Sequence, residues 1–397
     1  MFDHNPGADR AALGRARAAN DFDTALTDNQ SDNPAGPDAM QVDIIRADEI
    51  DGEMETIWRG FQAADRDLQS PFFTPDFCRI VGAVRPDDTR VAVFHEQGVI
   101  KGFFAFHKQR FGRMAPLAGP ISDYHGVVAS AGTCTDFRAV MRAAGAKAYD
   151  FNHAPQSQRT FVENAFRKTT SPYVDLTGGF DAWAAERKAN NRSFRELARR
   201  ERKLARDHGA ITYVANDTSD ATWALFLEWK RAALAAMGVK FILDERWAHD
   251  IVEAIRFTET PDFAGMTSSL YAGDTCVAVH FGMRSAQTLH WWFPAYDEAF
   301  RKTSPGLILI LETLKQLEAD GRRELDFGRG DQRYKTDFMT HERGLAEGSL
   351  ERPLTLIGAS RRARKHVQAL ADHVPSPKVP DFTRRAGDRL LSAGRLR

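Results

Sequence analysis

The sequence predicts an α/β fold of the α+β kind, built as two halves, each a mixed and mostly antiparallel sheet flanked by helices. Three observations carry this. A chain of 397 residues is long for one domain and sufficient for two, each with a core of its own. Three strands read consecutively at residues 266–271, 276–284 and 288–293, turning at Ala272-Gly273-Asp274 and Ser285-Ala286-Gln287. The meander feeds an apolar helix at 307–317 and a short returning strand at 324–327, so strands and helices alternate locally.

Lys and Arg number 54, as do Asp and Glu, so no global field draws the chain to nucleic acid or membrane, and charge arguments must be local. Cys78, Cys134 and Cys276 are odd in number, far apart and without a CxxC pair. That usage predicts a reduced, cytoplasmic protein without a disulfide scaffold or zinc knuckle. No leader and no apolar run of bilayer length is read, so no transmembrane segment is expected.

Residues 1–40 are rich in Asp, Asn, Gly and Pro and poor in large apolar side chains, which predicts a disordered tail. The first half is expected over 41–166. It reads as a helix at 54–61, a turn at Ser70-Pro71 and Thr74-Pro75 leading into a helix from Asp76, then strands at 90–96 and 100–108 around Gln97-Gly98. Asp123, Tyr124 and His125 form its polar cluster. They could bind a sugar hydroxyl or move a proton, or simply make a turn. A helix and strand over 136–151 and a helix ending near Phe166 complete the half, and a strand at 173–176 follows where the two halves meet.

The second half is expected over 167–350 and opens on the most basic stretch, 186–209. Phe194, Leu197, Leu204 and Ala205 fall on one side of a helix, with Arg192, Arg195, Arg199, Arg202 and Arg206 on another. This is a solvated face, an anion-binding patch or one border of a substrate site. A strand at 210–215 and helices at 221–237 and 244–257 precede the meander, whose last strand Pro294 is expected to stop. Residues 351–397 turn basic and read as a tail, with an amphipathic helix at 359–371 that could meet a partner or membrane surface.

Between the last meander strand and the apolar helix lies RKTSPG, residues 301–306. Ser304 reads as an N-cap, Pro305 as the first helical residue, and Gly306 leaves room beside the backbone. With Arg301, Lys302 and Thr303 this makes an anion site suited to a pyrophosphate, or merely a helix start. The loop 326–335 gathers Asp326, Arg329, Asp331, Arg333 and Lys335 around Gly328 and Gly330. It reads as a salt-bridged, glycine-bent hairpin or as a clamp for a reacting group; its GRG opens no helix and is not a dinucleotide fingerprint. His280, flanked by the small Ala278 and Gly282, is a candidate base, with His290, Tyr296 and Asp297 behind it. No GxSxG, Walker, HExxH or metal-spaced His/Cys pattern is present, and no metal is expected.

The strings SPFFTPDF, SDYHG and DFGRGDQRYK, with RKTSPG where a pyrophosphate loop belongs, resemble the GNAT acyltransferases of the CelD-like (BioF2-like) type, and more distantly the Fem-type transferases. The resemblance implies two tandem GNAT-like halves and transfer of an acyl group, most simply acetyl from acetyl-CoA, to a hydroxyl or amine. It places the donor on Phe293, Ala295, Tyr296 and the 301–306 turn. It puts Lys335 first among catalytic groups, beside Arg329, His280 and Asp326. Asp123, Tyr124, Arg195, Arg199, Trp292 and Tyr334 would meet a small-molecule or glycan acceptor, within polysaccharide-synthesis machinery and without specific nucleic acid. An aminoacyl-tRNA-dependent enzyme and a non-catalytic binding protein are the alternatives.

Overall fold

The computed structural model describes residues 40–133 and 135–352; the expected N-terminal tail and the basic C-terminal tail, with its 359–371 helix, lie outside them. The first part of the described chain runs β1 (Gln41–Ile45), α1 (Gly52–Ala64), α2 (Pro75–Val84), β2 (Thr89–Glu96), β3 (Val99–Gln109), β4 (Arg113–Pro116) and β5 (Val128–Ala129). It continues through α3 (Phe137–Ala143), β6 (Ala148–Pro155), α4 (Arg159–Glu163) and β7 (Ala165–Asp175). Then come α5 (Phe180–Asn190), α6 (Arg192–His208), β8 (Ile211–Val214), α7 (Asp220–Ala236) and α8 (Arg246–Arg256). The meander is β9 (Glu259–Thr260), β10 (Phe263–Ala272), β11 (Thr275–Ser285) and β12 (Thr288–Tyr296). The chain closes on α9 (Pro305–Ala319), β13 (Glu324–Asp326), α10 (Arg333–Phe338) and β14 (His341–Glu351).

All strands join one sheet in the order β1-β2-β3-β4-β6-β14-β7-β13-β12-β11-β10-β8, with β5 on β3 and β9 on β10. Its ladders are antiparallel except for β4–β6 and β12–β13. The mixed α/β architecture, a large and mostly antiparallel sheet flanked by helices, is the class the sequence predicts.

Local chemistry accounts for the helix starts. Asp51 Oδ1 accepts the Met54 N–H at 2.8 Å, and Thr74 Oγ1 accepts that of Phe77 at 3.1 Å with Pro75 at the first helical position. The basic stretch is two helices rather than one, because Asn191 leaves the helical conformation and its Oδ1 caps Ser193 and Phe194. Behind the sheet, Trp58 stacks on Phe103 at 4.6 Å in one core, and Leu309, Leu314, Trp291 and Leu325 pack in another under α9.

Two further departures matter for the site. The sequence reading assigns no element at 341–351, yet β14 fills it and lies between β6 and β7. That neighbour is why β7 runs from Ala165 rather than starting near residue 173. Nor does Pro294 end β12, which continues to Tyr296. β13 pairs only with Thr288–His290, so the far side of Pro294 has no strand partner and its missing N–H costs nothing.

Candidate active site

The parallel β12–β13 ladder is three residues long, Thr288 opposite Glu324, Leu289 opposite Leu325 and His290 opposite Asp326. Past Asp326 the chain turns away at Phe327-Gly328 while β12 runs on. A wedge opens between them, and the functional groups collect at its base. Gly328 has φ +67°, and a Cβ there would sit 3.0 Å from Asp123 Oδ2 and 3.2 Å from His290 Cε1, so the turn needs glycine. It is followed by a short helix, α10, three residues after the GRG; the segment is not the hairpin that its glycines and alternating charges suggest.

At the base of the wedge Asp326 is wholly buried. Its Oδ1 accepts Ser171 Oγ at 2.8 Å and the Gly328 amide at 2.7 Å; its Oδ2 accepts Tyr124 OH at 2.6 Å and Arg343 Nη1 at 2.9 Å. Arg343 also donates to both oxygens of Glu324 at 3.1 Å. A carboxylate with four donors is held in place, which suits a support rather than a base. Burial, then the charge of Asp326, push the Tyr124 hydroxyl well above its ordinary pKa, so it remains a donor.

His290, fully buried, places Nε2 2.9 Å from Asp123 Oδ2, while its Nδ1 stands 3.7 Å from Asp326 Oδ1, beyond hydrogen-bond range. The Asp123 side chain is 31% exposed and therefore reachable. Burial works against its charge, but the His290 hydrogen bond and the nearby His290, His153 and Lys335 outweigh it and lower its pKa. Lys335 is buried; its Nζ donates to the carbonyls of Gly328 at 3.1 Å and Arg329 at 3.0 Å. Burial lowers its pKa against the pull of Asp123, Asp326 and Asp331. Arg329 lies on the rim, 3.4 Å from Glu347 Oε2 and from the Asn152 carbonyl.

Beyond the wedge β12 leads into the 297–304 turn. Ser304 does occupy the N-cap position of α9, but at φ +55° its side chain caps nothing; its Oγ instead accepts Arg200 Nη1 from α6 at 2.5 Å. The amides of Leu307 and Ile308 turn back onto the Ser304 carbonyl. Arg301 and Lys302 are exposed, Thr303 Oγ1 is spent on the Phe300 carbonyl, and Arg301 pairs with Glu298 at 2.9 Å. A Cβ on Gly306 would meet only Tyr296 Cδ1 at 3.7 Å, so the surface beside it is open. Ala295 is buried in β12, Phe293 is half-buried, and Tyr296 is exposed.

The remaining predicted site residues lie elsewhere. His280 is fully buried, stacked on Trp291 at 3.7 Å; its Nε2 accepts the Trp292 amide at 3.2 Å, and its ring fills the space above Gly282 that the small neighbours suggested was open. Burial holds it well below the usual imidazole pKa. Arg195 donates to the Lys188 and Ala189 carbonyls, and Arg199 pairs with Glu196. Trp292 packs edge-on against Phe72 at 5.4 Å, and Tyr334 meets Phe327 at 5.9 Å.

Besides Arg343, sequence reasoning passed over two groups. Lys230 of α7 donates to the Pro294 carbonyl at 3.0 Å on the β12 wall of the wedge, opposite Lys335, and burial lowers its pKa to about 8. His153 of β6 has a buried, unpartnered Nδ1; burial above all brings it down to about 4. A lysine on an otherwise amphipathic helix and a histidine in an alternating strand look ordinary in sequence, and only the sheet topology brings them here. Among the described residues no group of three His, Cys, Asp or Glu could hold a metal ion. A cleft of about 800 Å³ lies at the other end of β12 and β13, with Arg59, Arg66, Gln69, Gln287, Arg323 and Glu324 among its lining residues, away from the wedge.

Residues 192–336, from α6 into α10, match the family model described as an acetyltransferase (GNAT) domain. No curated protein matches the chain. Among solved structures, the chain resembles the C-terminal DUF2156 domain of a proposed lysylphosphatidylglycerol synthetase from Agrobacterium fabrum. The identity is 13%, over 79% of this chain and 95% of that one, with a TM-score of 0.49. FemX shows 10% identity over 66% and 87%, with a TM-score of 0.47. A tandem GNAT protein from the clavulanic acid biosynthesis pathway shows 10% over 79% and 98%, with a TM-score of 0.44.

Proposed function

We propose that the protein transfers an acyl group, most simply acetyl, from acyl-CoA to the hydroxyl or amine of a small-molecule or glycan acceptor, in the cytoplasm and in polysaccharide or envelope-glycan synthesis. The observation that carries this is the wedge between β12 and β13, with the 297–304 turn and the start of α9 at its mouth. A thioester laid along β12 would meet the edge of residues 293–296 that β13 leaves unpaired, and its pyrophosphate would lie by Gly306, Arg301, Lys302 and Arg200. Asp123, oriented by His290, is the reachable carboxylate at the base of the wedge, and it would take the acceptor's proton as the nucleophile adds. Lys335 and Lys230, one on each wall, supply positive charge where the tetrahedral oxyanion forms. Asp326 and Tyr124 fix the base of the wedge.

Calorimetric titration with acetyl-CoA tests the reading, with an aminoacyl-tRNA as the comparison donor. Saturable acetyl-CoA binding that Gly306→Val abolishes is expected. The substitution is a clean probe because only the Tyr296 ring lies within 4 Å of the added Cβ. Binding of the aminoacyl donor alone would transfer the site to the Fem-type chemistry, and binding of neither would leave a non-catalytic protein.

A further inference from the structure

Alternation along β6 breaks at Asn152 and His153. Ala154 pairs with Ala346 of β14 and Phe151 with Gly348, so these two residues together oppose the single residue Glu347. This is a bulge, and both of its amides turn to one acceptor, His125 Nε2, at 3.1 Å each. Strict alternation would return His153 to the face of Phe151, which stacks on Tyr149 in an aromatic core. The extra residue releases it, and its ring lies where the charges of Asp123, Arg329 and His290 reach it.

Two groups at this bulge are incompletely used. The His153 Nδ1 is buried without a partner, and among the described residues no hydrogen bond engages its Nε2. Burial keeps the ring neutral, so it offers one N–H and one lone pair. A ring left in this way carries an unmet hydrogen-bonding demand that a bound molecule can satisfy. Arg329 uses one nitrogen of its fork: Nη1 stands 3.4 Å from the Asn152 carbonyl and 3.4 Å from Glu347 Oε2, long for a hydrogen bond. Glu347 is also claimed by Arg167 at 3.2 Å, so one carboxylate answers two guanidinium groups and a positive charge is left over. The Arg329 side chain is 29% exposed, and its unused edge can be reached.

We propose that His153 and Arg329 bind an anionic group of the acceptor, a carboxylate or a phosphate, beside the hydroxyl or amine that Asp123 deprotonates. The substrate class is then an acidic small molecule or an acidic glycan unit rather than a neutral one. The planar guanidinium presents parallel N–H donors that match either oxyanion, and the imidazole N–H adds another. Repulsion from Asp123 is offset, because His290 and Lys335 already compensate that carboxylate. As a brace for β14 alone, a partly exposed ion pair at 3.4 Å would contribute little. The inference rests on the acyl-transfer reading for the reacting atom at Asp123; the anion site itself can be measured without it.

Calorimetric titration and release of coenzyme A test it on the full chain, with and without saturating acetyl-CoA. One series is glucose, glucuronic acid and glucose 6-phosphate; the other is ethanolamine, serine and phosphoethanolamine. Within each series a hydroxyl or amine persists while the anionic group is added. At least one acidic member binds roughly tenfold tighter than its neutral parent, and the carboxylate and phosphate arms show which oxyanion fits. Arg329→Gln and His153→Leu each bring that ratio to near one while acetyl-CoA titrates as in the wild type. His153→Gln, which keeps an N–H donor, retains part of the ratio. A residue that merely braced the bulge would weaken all members alike, and thermal melts show whether each variant keeps the fold. Equal response to neutral and acidic members, no response to any of them included, overturns the proposal. So does a preference that survives Arg329→Gln, a change at a partly exposed position. An acidic preference without acetyl-CoA binding would sink the transfer reading and leave the anion site standing.

Discussion

In the proposed transfer Asp123 and His290 would divide a task that neither could perform alone. His290 is buried beyond reach of an acceptor, while Asp123 is reachable but held low in pKa by the imidazole and by Lys335. Asp123→Asn keeps the size and one oxygen of the side chain but cannot take a proton, so it should lower turnover by about 10²–10⁴-fold with acyl-CoA affinity unchanged. A steady-state assay beside donor titration separates the two, and near wild-type turnover would remove Asp123 from proton transfer. Lys230 makes a second prediction, about stability. Its folded pKa, about 8, lies below the value of 10.5 for a free lysine, so between these values the unfolded chain binds more protons. The cost of burying the ammonium is therefore complete below about pH 8 and is relieved as pH rises toward 10.5. Lys230→Met should stabilise the neutral-pH protein by about 1–3 kcal/mol, an advantage that shrinks above about pH 8. Urea midpoints of both proteins across that range check it; a constant difference would mean that Lys230 is not perturbed as described.

At the scale of elements, β14, from the close of the described chain, lies between β6 and β7 of its middle, and Arg343 is its anchor. The guanidinium ties Glu324 and Asp326, on one face of β13, to β14, with Asp67 3.3 Å from its Nε. Arg343→Met leaves both carboxylates buried without their cation, which should cost about 3–5 kcal/mol. Combining it with Glu324→Gln should recover part of that loss, and a double-mutant cycle in urea unfolding measures how much. Additive losses would mean that the pair is not coupled. The same elements show what was legible in the sequence. The meander, α9 and the hairpin at Gln97-Gly98 could be read because period-two alternation, a proline-led helix start and turn residues are local signals. β14 could not: HERGLAEGSLE has little alternation, and it is a strand because β6 and β7 flank it. The site follows the same division. Asp123, Tyr124, Asp326 and Lys335 stood out as charged or polar residues in glycine-bent loops, whereas Lys230, His153 and Arg343 reach the wedge only through pairings between distant strands and helices. His280 misled for the converse reason, since small neighbours at alternate positions left room that its own ring occupies.

Across the whole molecule the buried histidines set the response to acid. His107 Nε2 accepts the Ala118 amide at 2.9 Å, His125 Nε2 accepts those of Asn152 and His153 at 3.1 Å, and His280 accepts that of Trp292. An imidazole that accepts a backbone N–H must be neutral at that nitrogen, and burial enforces it. His107 is pushed down to about 3 and His153 to about 4, with His125 and His280 well below the ordinary value. Below about pH 6.5 the unfolded chain therefore takes up protons that the folded chain refuses, and stability must fall as pH falls. With four such groups the slope approaches about 5 kcal/mol per pH unit once the unfolded histidines are fully protonated, enough to exhaust an ordinary folding free energy within about two units. Asp175, held at about 2 by its hydrogen bonds and Arg66 despite burial, adds to the loss only at still lower pH. Urea unfolding from about pH 7 down to about pH 5 should show this steep decline, and His280→Asn, whose amide oxygen can still accept the Trp292 N–H, should make it shallower by one proton. A midpoint indifferent to pH over that interval would mean that the histidines titrate in the fold as they do in solution, and that their hydrogen bonds to the backbone are not what keeps these strands in place.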